Sequence, residues 1–131
     1  MACASGPKII RGSSLIINID AGNTKSYSGA GTSWIDLKNK SVGAMSNCTF
    51  SSANQGLIAF NGTSSVVYYP SNTNYSFGTG DFSIESFCQI NIATTIKPIV
   101  QNDAVGTSQN DKWWLAYDSS VAGLRLSLIH I

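Results

Sequence analysis

The chain has 131 residues, room for one domain, and 43% of them are hydrophobic, enough to build a core instead of remaining disordered. Charged residues make up only 11%, and eight Lys and Arg against seven Asp and Glu leave a net charge of +1, which excludes a basic surface for duplex nucleic acid. Ser, Thr and Asn supply 40 of the 131 residues, an uncharged, turn-forming balance that suits an all-β protein and not a helical enzyme.

Residues 1–12 read as a lead segment. They lack the apolar stretch of a secretory signal, and no run in the chain is long enough to span a bilayer. Synthesis in a reducing compartment is therefore expected, with no membrane insertion and with the sequons at Asn39, Asn47, Asn61 and Asn74 left unglycosylated. Period-two runs then recur along the chain. Leu15 to Asp20 reads as a strand with Leu15, Ile17 and Ile19 on one face. Ser33 followed by Asp36 predicts a short helical turn over Ser33 to Leu37, because that spacing resembles a capping box. Leu57 to Phe60 and Ser65 to Tyr69 are the next strands, the latter stopped by Pro70. The clearest alternation is Phe82 to Ile92, with Phe82, Ile84, Ser86, Cys88 and Ile90 on one face and Ser83, Glu85, Phe87 and Gln89 on the other. Strands at Lys97 to Val100, Trp113 to Tyr117 and Leu124 to Leu126 complete the series. Short strands separated by turn signals such as Asn61-Gly62 and Gly78-Thr79-Gly80-Asp81 imply a β-sandwich.

Little in the sequence suits catalysis. Glu85 is the single glutamate, and Asp81, the nearest acid before it, is four residues away, about 13 Å along a strand. Glycoside hydrolysis needs two carboxylates about 5–10 Å apart across the bond. The single histidine is His130, so a Ser-His-Asp or Cys-His site has no base except there. The Gly-X-Gly stretches lack the further glycines or the Gly-Lys-Ser/Thr that a phosphate loop uses. Cys3, Cys48 and Cys88 are too few and too widely spaced for a disulfide framework or a zinc site. Cys48 and Cys88 are expected as small buried hydrophobes.

Three collinear stretches resemble laminin G-like, concanavalin A-like lectin/glucanase domains. They are Leu15-Ile16-Ile17-Asn18-Ile19-Asp20-Ala21-Gly22-Asn23 running on to Trp34-Ile35-Asp36-Leu37, then Phe60-Asn61-Gly62, then Phe77-Gly78-Thr79-Gly80-Asp81-Phe82-Ser83-Ile84-Glu85-Ser86-Phe87. The resemblance implies an all-β jelly-roll sandwich over residues 13–125. The lead Gly6-Pro7-Lys8-Ile9-Ile10 is similar to that of tailed-phage virion proteins carrying such domains. The implied function is non-catalytic recognition of host-surface glycans by a virion protein, on a tail or capsid. Glycans and other virion structural proteins are then its expected partners. A structural virion domain that binds no sugar is the competing reading, and a glucanase is disfavoured by the acid count. Where the family carries acidic residues after its first Phe-Asp-Gly turn, this chain has Asn61, Ser64 and Ser65. Calcium takes six to eight oxygens, carboxylates usually among them, so no metal and no cofactor is expected. Leu126-Ser127-Leu128-Ile129-His130-Ile131 is similar to the translation of a sequencing adaptor, which implies a domain truncated at its C-terminus. A native final strand fits the same apolar pattern.

The resemblance places Trp34, Phe60, Tyr69 and Phe82 in the core, and strand phase adds Trp113, Leu115 and Tyr117. Phase leaves Glu85, Phe87 and Gln89 facing outward: a ring, a carboxylate and an amide, the chemistry that a sugar's apolar face and hydroxyls require. Trp114 points away from the core face with Asp118 and extends the candidate platform, and Tyr27 reaches it from a loop. Cover of Phe87 and Trp114 by loops or by another subunit is the alternative.

Overall fold

The computed structural model describes residues 12–77, 80–91, 95–102 and 112–129. The protein is all-β, with three small antiparallel sheets. The chain divides into two compact units, Met1–Pro70 and Ser71–Ile131.

The first unit holds two of the sheets. Strand β1 (Ser33–Ile35) pairs with β2 (Val42–Ser46), which pairs in turn with β5 (Val66–Tyr68). A separate hairpin joins β3 (Thr49–Ser51) to β4 (Leu57–Ala59). Along β2 the burial alternates, with Gly43 and Met45 inward and Val42, Ala44 and Ser46 outward, as a sheet covered on one side requires. Gly43 has no side chain because the Tyr69 ring lies on it: a Cβ there would meet Tyr69 Cζ at 2.5 Å. The Tyr69 hydroxyl donates to the Trp34 carbonyl at 2.8 Å, which holds the ring across the sheet.

Two expected elements of this unit take another form. Leu15 to Asp20 forms no ladder, because its backbone groups are taken by a turn and by side chains. Asn18 N donates to Asp36 Oδ1, Leu37 N donates to the Asn18 carbonyl, and Asp20 N donates to Ser26 Oγ. The amide of Asn39 donates to the Ile16 carbonyl. Ile17 and Ile19 are accordingly not core residues, at 36% and 39% exposure. Ser33 to Leu37 is not a helical turn either. Ser33–Ile35 is β1, and Asp36 caps the residues after it, its carboxylate accepting from the N–H groups of Asn18, Lys38 and Asn39. Phe60, expected in the core, is 52% exposed, since β4 ends at Ala59 and Phe60 lies past the last ladder pair.

The second unit holds β6 (Lys97–Asn102), β7 (Lys112–Asp118) and β8 (Gly123–Ile129), with β7 in the centre. Pro98, which has no N–H to give, sits on the edge strand β6 beside a bulge between Pro98 and Val100. Trp113 is buried, stacks on Phe77 with ring centroids 4.8 Å apart, and donates its indole N–H to the Tyr75 carbonyl at 2.7 Å. Phe82 stacks on the same Phe77 ring at 4.3 Å. Leu115 and Tyr117 are half-buried beside them in sequence. The opposite face of β7 is also covered, with Ala116 fully buried and Asp118 at 2% exposure.

The expected strand from Phe82 is not a strand: residues 81–91 make no ladder, and Ile92 lies outside the described residues. Its inward alternation persists only at Phe82 and Ile84, both half-buried, while Ser86, Cys88 and Ile90 are exposed. Stacking on Phe77 anchors the start of the segment, and beyond Glu85 no partner strand draws the apolar set inward. Strand β8 runs continuously through the boundary expected at residue 126. Among the described residues no helix is long and apolar enough to cross a membrane.

Candidate functional site

The segment 84–88 borders a hollow of about 400 Å³ in the second unit. Ile84, Glu85, Phe87 and Cys88 line one side, with Leu115 of β7 and Leu124 of β8 among the residues opposite. Phe87 projects fully into solvent, and Glu85 and Gln89 on either side of it are exposed as well. These three expected site residues therefore share one open segment, with two of them at the hollow. Cys88 corrects the expectation of a small buried hydrophobe: its thiol is exposed. Cys48 is half-buried, its thiol donating to the Ser46 and Val66 carbonyls.

Trp114 is half-buried in β7, and its ring is engaged. The Arg125 guanidinium of β8 lies over it, 6.0 Å from the ring centroid. The same guanidinium reaches Asp118 Oδ2 at 3.2 Å. Register explains the cluster: Arg125 stands opposite Ala116, so Trp114 and Asp118 are its diagonal neighbours on that face. Asp118 also accepts from the backbone N–H and the hydroxyl of Ser120, closing the turn into β8. The Ser120 hydrogen bonds, helped by Arg125, hold the Asp118 carboxyl below the usual carboxylate range. Sequence reasoning missed Arg125. The signal was its period-two position on a neighbouring strand, usable only with the β7–β8 register in hand.

Tyr27 lies in the first unit with its ring 4% exposed. Its hydroxyl donates to the Gly31 carbonyl at 2.9 Å, and its ring packs on Phe50 with centroids 5.0 Å apart. The tyrosine is thus committed to its own loop.

The 61–65 loop does not fit calcium. Asn61 Oδ1 accepts from the backbone N–H groups of Thr63, Ser64 and Ser65 and from the Thr63 hydroxyl, so its lone pairs are already engaged. Ser65 Oγ accepts from Asn61 N and donates to the Asn47 carbonyl. Among the described residues no group of three or more His, Cys, Asp or Glu side chains is gathered as a metal site would need. Compared with known proteins, the chain matches no protein-family model, no curated protein and no solved structure.

Proposed function

We propose that this chain is a non-catalytic carbohydrate-recognition module of a phage virion surface, of laminin G-like sandwich type, that holds a host-surface glycan around Phe87. The collinear motifs of the sequence support the family. One observation carries the site: a fully exposed ring between an exposed carboxylate and an exposed amide, at the rim of a hollow. The C–H face of a pyranose stacks on Phe87, Glu85 accepts from its hydroxyls, and Gln89 both donates and accepts. A glycan array probed with the whole chain tests this. Phe87→Ala removes no buried contact, so it should leave the fold intact and weaken binding by about 1–3 kcal/mol, the scale of one aromatic stack on a planar ligand. Binding that survives Phe87→Ala and Trp114→Ala together places the site elsewhere.

A structural virion domain is the second reading, favoured by Ile90, Ile96, Val100, Leu124 and Leu126, all exposed in the second unit. A blank array together with capture of virion structural proteins would select it. Hydrolysis is not part of either reading, because Glu85 is the chain's only glutamate and Asp81 lies four residues before it. Incubation with β-glucans should release no reducing sugar, and release abolished by Glu85→Gln would overturn that.

A further inference from the structure

The first unit contains a second hollow, of about 310 Å³, that shares no residue with the Phe87 surface. Its apolar side is Phe50, half-buried and packed on Tyr27. Its polar side is Thr24, Ser28, Ser52 and Gln55. No Asp, Glu, Lys or Arg is among the lining residues. The backbone brings these groups together at a crossing of two loops. A Cβ on Gly22 would strike the Gln55 carbonyl, and one on Gly56 would lie 2.8 Å from the Ala21 carbonyl, so the loops touch because both positions are glycine. Gln55 holds a left-handed backbone, φ 70°, next to Asn54 at φ 53°, a conformation that non-glycine residues adopt at a cost. Gly29, also left-handed at φ 91°, leaves the edge of Phe50 uncovered: a Cβ there would sit 3.8 Å from Phe50 Cε1.

We infer that this hollow is a binding site for a single neutral hexopyranose. The volume is at the small end of ligand pockets, about 300–1,000 Å³, which admits one sugar ring and not a chain. An aromatic wall facing three hydroxyls and one amide matches a pyranose, which has one C–H face and a girdle of donors and acceptors. The uncharged lining gives anionic sugars and nucleotides no counter-charge, so neutral hexoses are selected over uronic and sialic acids. The site stands whether or not a glycan binds at Phe87.

Saturation-transfer difference NMR on the whole chain, with glucose, galactose, mannose, glucuronate and sialic acid at millimolar concentration, reads the inference directly. At least one neutral hexose should show transfer, strongest at its C–H face, and the two acids none. Ser52 is exposed at the rim, so Ser52→Trp fills the hollow without disturbing the core and should abolish the signal. Gln55→Ala should weaken binding about fivefold, the loss of one net hydrogen bond. It decides the matter if Ser52→Trp does not fold, as judged by circular dichroism. Phe87→Ala should leave the signal unchanged. No transfer to any neutral hexose overturns the inference, as does a signal retained in a folded Ser52→Trp or one that Phe87→Ala removes.

Discussion

Asp36 sits at the foot of β1 because its carboxylate accepts three backbone N–H groups, from Asn18, Lys38 and Asn39, each at 2.9 Å. One of these comes from 18 residues earlier in the chain, so a single side chain both closes a turn and pins the segment before it. Removing the acceptor leaves three donors at a site with 0% exposure. Asp36→Ala should lower unfolding stability by about 3 kcal/mol or more, and Asp36→Asn, which keeps one carbonyl oxygen, by less. Urea unfolding of the three proteins measures both. Asp118 makes a pH-dependent contribution in the second unit. Its carboxyl is depressed in the folded state by Ser120 and Arg125, so the stability it adds is present above the ordinary carboxylate value of about 3.9. That stability is lost as pH falls through the lower folded value. Acid unfolding followed in the wild type and in Asp118→Asn should show a smaller stability loss below about pH 4 in the variant. Equal losses would mean the carboxylate is not linked to folding.

At the scale of elements, sheet β1-β2-β5 depends on one close approach, the Tyr69 ring on Gly43. Gly43→Val must push the ring away and strain its bond to the Trp34 carbonyl, costing about 1–3 kcal/mol by overpacking. Combining it with Tyr69→Ala should cost less than the sum of the two changes, because the clash disappears with the ring. An additive double-mutant cycle would show the contact to be slack. Nothing in the alternation of Ser65 to Tyr69 marks this contact. The strands at 57–60, 65–69, 97–100, 113–117 and 124–126 were legible because period-two patterning coincides there with a partner strand. The same patterning over Phe82 to Ile92 is just as regular, yet residues 81–91 form no ladder. Alternation records which side chains share a face, whereas a strand also needs a neighbour for its N–H and C=O groups. Leu15 to Asp20 differs for a related reason, since the acceptor for Asn18 N is a side chain, which propensity does not encode. The outward set Glu85, Phe87 and Gln89 could be read from the sequence. The cover of Trp114 by Arg125 could not, because it requires the pairing of β7 with β8.

At the scale of the whole molecule, the second sheet edge of β8 is the feature with the largest consequence. Among the described residues β8 pairs only with β7, so one row of its backbone groups faces no strand. The side chains there do little to discourage pairing, with Leu124 65% and Leu126 47% exposed and Arg125 drawn back over Trp114 toward Asp118. Natural edges are protected by charge, proline or cover, and β8 offers none of these beyond Arg125. By contrast β6, at the other edge, carries Pro98 and a bulge. The whole chain should therefore self-associate through β8, and sedimentation velocity should show its apparent mass rising with concentration. Leu126→Lys places a charge on the exposed edge strand and should shift the distribution toward monomer while leaving the buried Trp113 contacts in place. The same charge added on the opposite edge, in Val100→Lys, should change association far less. A chain that stays monomeric at every concentration, or that responds equally to both substitutions, would show that β8 is not the surface through which copies meet.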